Sequence, residues 1–167
     1  MAHTIVIGLG NPLLADDGVG LKVAALLQDS LPPGAGVRVV TSRSGGLGLL
    51  ELMVGYRRAI IVDAMLSGTR TPGSVVRLAV ASAASARHLA VSHGGDLAAL
   101  LRLGRALDLA LPERIELVGI EAAEVDWFAE ELSRAVAEAL PTALSLVLEL
   151  LGLERPGPRV VGKVDQP

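Results

Sequence analysis

The sequence predicts an α/β fold: one three-layer αβα domain, with a mainly parallel five-stranded sheet and helices on both faces. Three observations carry this expectation. Short β-branched runs alternate with longer stretches whose apolar residues recur at helical spacing. The 167 residues correspond to a single domain, long enough to bury a sizeable core without staples. Cysteine is absent, which excludes a disulfide framework, a thiolate metal site and a cysteine nucleophile.

Thr4-Ile5-Val6-Ile7 reads as a buried first strand ending at Gly8. A loop rich in Gly, Asn, Pro and Asp runs from Gly8 to Gly20. A helix over about 18–31 carries Val19, Val23, Leu26 and Leu27 on one face and stops at Pro32-Pro33. Val37–Val40 is a second strand. Ser44-Gly45-Gly46 opens a short helix to about Val54, and Ala59–Val62 is a third strand with Asp63 at its exit. Thr71-Pro72-Gly73 forms a turn before a fourth strand, Ser74–Val80. A helix is expected over 95–107, and a fifth strand over Arg114–Ile120. The last helical region spans about 132–151, and Pro141 is expected to kink it or split it in two. Residues 1–154 form the domain in this reading. Residues 155–167 hold three prolines and read as a flexible C-terminal tail.

The net charge is −3 and no basic block stands out, so a nucleic-acid footprint is not supported. Mean hydropathy is high at +0.52, yet charges interrupt every apolar run before the eighteen or so residues of a bilayer span. The N-terminus lacks the charged and apolar regions of a signal peptide, so a cytoplasmic location is expected.

In a parallel sheet the ligand site lies beyond the carboxyl ends of the strands. Residues after successive strands are therefore expected to meet: Gly8–Asp17, Ser42–Gly46, Asp63 and the run to His93. The first loop is not a dinucleotide fingerprint, because Leu13 stands where G-x-G-x-x-G needs glycine and two adjacent carboxylates would repel a pyrophosphate. Of Asp16 and Asp17, one is expected to cap the first helix and the other to point into the cleft. Gly45-Gly46 either makes an unusual turn or lets a peptide approach closely. Asp96 is read as a helix cap, His3 and His88 carry weaker claims, and Glu121 is read as a solvated loop acid. Asp17, Asp63 and His93 together offer two oxygens and one nitrogen, a donor set suited to a divalent first-row metal such as nickel or zinc. Three ligands leave open positions for water or substrate, and the ion could belong to another molecule.

The pattern G-x-G-N-x-L-x-x-D-(D/E)-G-x-G at Gly8–Gly20 resembles the opening motif of the hydrogenase maturation proteases. Ser44–Leu50 resembles their Gly-rich element, Ile61-Val62-Asp63-Ala64 their third-strand aspartate, and Ser92-His93 their histidine before a helix. Leu117–Glu121 is similar to their late strand, and Ala139-Leu140-Pro141 with Val147–Leu150 to their final helix. The resemblance spans roughly residues 4–152. It implies an endopeptidase that removes the C-terminal extension of the nickel-loaded large-subunit precursor of nickel–iron hydrogenase. The metal-contacting residues carry over to Asp17, Asp63 and His93, with nickel carried by the substrate and no separately bound catalytic metal required. Asn11, Gly45 and Gly46 would contact the extended substrate backbone. Protonated histidine cannot ligate metal, so processing is expected to fall as pH drops through about 6.5. The chain departs from the family in Asp17, where relatives also use Glu, in Glu121-Ala122-Ala123, near which relatives often have a Pro, and in Ser133-Arg134, where they use Ser-Pro.

Two other readings compete. One is a non-catalytic nickel checkpoint, or chaperone, that holds the same precursor. The other is peptidyl-tRNA hydrolase, which shares Gly-Leu-Gly-Asn-Pro but has Gly at the position of Leu13 and a Thr-Arg-His-Asn segment missing here.

Overall fold

The β-branched run at the start of the chain forms strand β1, Thr4–Leu9, an interior strand of a five-stranded sheet. The computed structural model describes residues 3–43, 45–79 and 97–153. A 3-10 turn, Ala15–Gly18, leads into helix α1, Val19–Ser30. Then come β2 (Val37–Ser42), α2 (Leu47–Met53), β3 (Arg58–Met65), β4 (Val75–Ala79), α3 (Leu97–Ala106), β5 (Arg114–Glu121) and α4 (Arg134–Leu150).

The strand order is β2-β1-β3-β5-β4. β1 pairs in parallel with β2 and β3, β3 pairs in parallel with β5, and among the described strands only the edge strand β4 runs antiparallel. The expected mainly parallel αβα architecture is therefore present. The chain leaves β1 toward β2 on one side and returns to β3 on the other, so the topological switch point lies between β1 and β3.

Alternation along the strands builds two cores. Val6, Ile60, Val62, Val118 and Ile120 face α1 and α4, where Val23, Leu27, Val136 and Val147 meet them. Ile5, Ile7, Ile61, Ile115 and Leu117 face α2 and α3, where Leu50, Met53, Leu97 and Leu101 meet them. Each such buried side chain stabilises the fold by roughly 1.5–3 kcal/mol, so the central strands are a firm platform for whatever their ends carry.

Pro141 does not divide the last helix: α4 is continuous over Arg134–Leu150. Pro141 and Ala137, whose carbonyl the missing N–H would have satisfied, both lie on the exposed face, where water can serve that carbonyl. Ser133 caps the helix, its Oγ accepting from Val136 N at 3.5 Å. The first helix begins with a 3-10 turn rather than directly at Gly18. The expected strand end at Val80, the helix start at Gly95–Asp96, His88, Ser44 and the tail over 155–167 lie outside the described residues.

Candidate active site

Glycines decide how closely the Gly8–Gly20 loop approaches the sheet. A Cβ at Gly20 would lie 2.2 Å from Leu9 O and 2.3 Å from Val62 O. One at Gly8 would lie 2.3 Å from Gly20 O, and one at Gly10 would lie 2.3 Å from Asp17 O. No side chain fits at these distances. The start of α1 therefore lies directly on the ends of β1 and β3, at the switch point. Gly10 N also donates to Ser42 O at 3.1 Å, which ties the exit of β2 to the same rim.

The two adjacent aspartates have different work. Asp16 is fully buried and reaches away from its own helix. Its Oδ2 accepts from Ala123 N at 2.8 Å, Glu124 N at 3.0 Å and Ser133 Oγ at 2.9 Å, while Oδ1 accepts from Ser133 N at 2.7 Å. The expectation that one of the pair caps α1 is corrected: among the described residues no side-chain hydrogen bond caps that helix, and Asp16 instead anchors the β5–α4 connection and the cap of α4. Asp17 is buried at the turn, and its Oδ2 accepts from Asn11 N at 3.2 Å. The Asn11 side chain shapes the same loop, its Oδ1 accepting from Leu13 N at 3.1 Å.

Asp63 lies within β3 rather than beyond it, two residues before the strand ends, and is 0% exposed. Its Oδ1 accepts from Ala64 N at 2.8 Å. It shares the strand phase of Ala59 and Ile61, on the side covered by α2 and α3. Gly20 packs against the carbonyl of the preceding Val62, so the turn bearing Asp17 and the strand bearing Asp63 meet at one edge. His93 lies outside the described residues. Among the described residues no three His, Cys, Asp or Glu gather as a metal cage, so the described share of the donor set is the carboxylates Asp17 and Asp63.

Gly45 and Gly46 follow β2 at this rim. Gly46 has φ +63°, and among the described residues no atom beyond its chain neighbours lies within 4 Å of where its Cβ would stand. Glycine is there for the turn that starts α2, not for lack of space.

Glu121 corrects a second expectation. It is buried at the end of β5, its Oε1 accepting from Ser67 N at 2.9 Å and Gly68 N at 3.2 Å, and its Oε2 from Ser67 Oγ at 2.9 Å. The acid holds the loop after β3 in place of being solvated.

Glu116, at the far end of the sheet, was not evident as a structural centre from the sequence. It is 1% exposed and accepts from Arg58 Nε at 2.9 Å, Arg77 Nη2 at 2.7 Å and Arg114 Nη2 at 3.1 Å. Burial pushes its carboxyl up, but hydrogen bonds and charge from Arg58 and Arg114 outweigh burial and hold it below the usual carboxylate range. The readable signal was its strand phase, shared with Val118 and Ile120.

A hydrogenase maturation protease family model matches residues 21–150. The hydrogenase expression/formation protein HupM of Azotobacter chroococcum mcd 1 is 30% identical over 154 residues, covering 89% of this chain and 71% of that protein. The hydrogenase-maturating endopeptidase HybD of E. coli superposes with a TM-score of 0.77 at 27% identity, over 90% of this chain and 92% of that one. The nickel–iron hydrogenase maturation protease HybD of Thermococcus kodakarensis gives 0.68 at 28% identity, over 89% and 99%. With the strand order, the glycine-packed first loop and these likenesses in agreement, the chain belongs to the hydrogenase maturation protease family and is a peptidase of the hydrolase class.

Proposed function

We propose that this endopeptidase removes the C-terminal extension of the nickel-loaded large-subunit precursor of nickel–iron hydrogenase, in the cytoplasm, and that Asp17, Asp63 and His93 contact the nickel carried by that substrate. The observation that carries the reading is the division of labour between the paired aspartates. Asp16 is consumed by four hydrogen bonds to the β5–α4 connection, which leaves Asp17 as the carboxylate of the pair at the strand edge where β3 brings Asp63. Two carboxylates and an imidazole suit a borderline divalent ion. A precursor without nickel would lack the group these side chains grip, so maturation state is read at the point of cleavage.

The chemistry is amide hydrolysis. Water, deprotonated by a carboxylate or activated by the metal, adds to the scissile carbonyl carbon. The C–N bond then breaks, and the leaving amine takes up a proton. Asn11, Gly45 and Gly46 border the rim and would align the extended backbone.

The test is intact-mass spectrometry of nickel-loaded precursor incubated with the purified protein. A mass loss equal to the C-terminal extension supports the reading. A tight complex that leaves the precursor uncut favours the checkpoint instead.

A further inference from the structure

The chain contains one Trp, one Tyr and one Phe, and it leaves the Trp and the Phe in water. Trp127 is 69% exposed and Phe128 81%, and Leu13 beside them is 48% exposed. Two adjacent exposed aromatics next to an exposed Leu form an apolar patch of the kind that marks an interaction site.

The patch is fastened to the site. Ala129 N donates to Leu13 O at 3.1 Å, and Ala15 N donates to Ala129 O at 2.7 Å. Asp16 N donates to Glu124 O at 3.0 Å, and the Asp16 carboxylate clamps Ala123 and Glu124 from the other side. Leu13 itself belongs to the loop that carries Asn11 and Asp17. The aromatic segment and the candidate active site are thus one continuous surface.

Its electrostatics are one-sided. Residues 122–133 contain Glu124, Asp126, Glu130 and Glu131 and no Lys or Arg, and all four acids are exposed. Aromatic anchors inside a charged rim are the usual anatomy of a protein-binding surface.

We infer that Leu13, Trp127 and Phe128, rimmed by these four carboxylates, form the docking surface for the protein substrate, and that they receive a face of it presenting apolar side chains among Lys and Arg. This rests on the reading of the chain as a precursor-cleaving endopeptidase. The patch holds the body of the precursor while its extended C-terminal segment enters the rim.

The experiment follows cleavage of the nickel-loaded precursor by the wild type, by Trp127→Ala/Phe128→Ala and by Glu130→Lys/Glu131→Lys. The aromatic double variant is expected to raise KM about 30-fold with kcat within about twofold, as loss of central anchors does. The charge swap is expected to raise KM about tenfold and to abolish the rise of KM with ionic strength expected for the wild type. An unchanged KM in the aromatic variant overturns the inference. In parallel, the wild type is labelled with 5-fluorotryptophan, so that Trp127 gives a single 19F resonance. A shift on adding unlabelled precursor supports docking, and no shift refutes it. This second arm stands even if the wild type fails to cleave, a result that would sink the protease reading alone, and even if a variant fails to fold. Sedimentation of wild type and aromatic variant covers the remaining occupant: a dimer that the double substitution dissociates would assign the patch to a second copy of this chain and overturn the inference.

Discussion

Replacing Asp16 by Asn removes one charge and keeps the shape, which isolates what the clamp is worth. With the Asn oxygen in place of Oδ2, three bonds survive as neutral ones, to Ala123 N, Glu124 N and Ser133 Oγ. Hydrogen bonds to a charged group exceed neutral ones by about 1 kcal/mol each, so about 3 kcal/mol is at stake in these three. The Asn amide nitrogen then faces Ser133 N, donor against donor, where Oδ1 had accepted at 2.7 Å. An unsatisfied buried N–H costs about 1–3 kcal/mol. Ala123 and Glu124 are exposed and Ser133 is half-buried, so water recovers part of the loss. The net expectation for Asp16→Asn is about 3 kcal/mol, and Asp16→Ala should cost somewhat more. Ser133→Ala, which removes one partner and the cap of α4, should cost about 1–2 kcal/mol. The two sites share a bond, so the double variant should destabilise less than the sum of the single ones. Urea unfolding with a common slope measures these variants against the wild type. Hydrogen exchange should accelerate at the amides of Ala123, Glu124 and Ser133 in the Asn variant. A destabilisation below about 0.5 kcal/mol for Asp16→Asn, or strict additivity with Ser133→Ala, would refute the division of labour between the two aspartates.

Other outcomes follow from the same geometry. Asp63→Asn, nearly isosteric and fully buried, should fold normally and lose about 100-fold or more in cleavage of the precursor by mass spectrometry; undiminished cleavage removes Asp63 from the site. Gly20→Ala forces a methyl against the carbonyls of Leu9 and Val62 and should cost about 3 kcal/mol together with cleavage, whereas Gly48→Ala, with nothing within 4 Å, should be neutral or stabilising by up to about 1 kcal/mol. Glu116→Gln leaves three guanidinium groups around a neutral amide and should cost about 3 kcal/mol, read as a melting temperature lower by roughly 6–12 °C. Because the folded carboxyl is held below its ordinary value of 4.5, the charge of Glu116 stabilises fully above that pH and loses its effect as pH falls through the folded value. The gap between wild type and variant should therefore be constant from pH 6 to 8 and shrink below about 4.5; a gap that widens on acidification would contradict the ion cluster.

The layers of this fold are legible because they rest on local pattern. Short apolar runs rich in β-branched residues mark the five strands, and the glycines at 8, 10 and 20 announce a loop packed hard at their ends. The carboxyl-edge rule then points to the Asp16–Asp17 pair and to Asp63 before any coordinate is known. What stays hidden depends on partners distant in the chain. Nothing near Asp16 distinguishes it from Asp17; the difference lies in amides of Ala123, Glu124 and Ser133. Glu121 looks like a loop acid until the backbone of Ser67 and Gly68 arrives to be capped. Pro141 reads as a helix breaker because its own sequence does not say that it faces water. Trp127 and Phe128 stay outside despite their large apolar rings, and the acids around them are the local hint of it.

The most direct measurement crosses the substrate's metal with the three side chains that are to grip it. Nickel-loaded and nickel-free precursors are incubated with the wild type and with Asp17→Ala, Asp63→Ala and His93→Ala, and the intact mass of the large subunit is followed. The expected result is removal of the C-terminal extension in one combination alone, wild type with nickel. Equal trimming of nickel-free precursor by the wild type, or full processing by any of the three variants, would contradict the claim that these residues read the substrate's nickel.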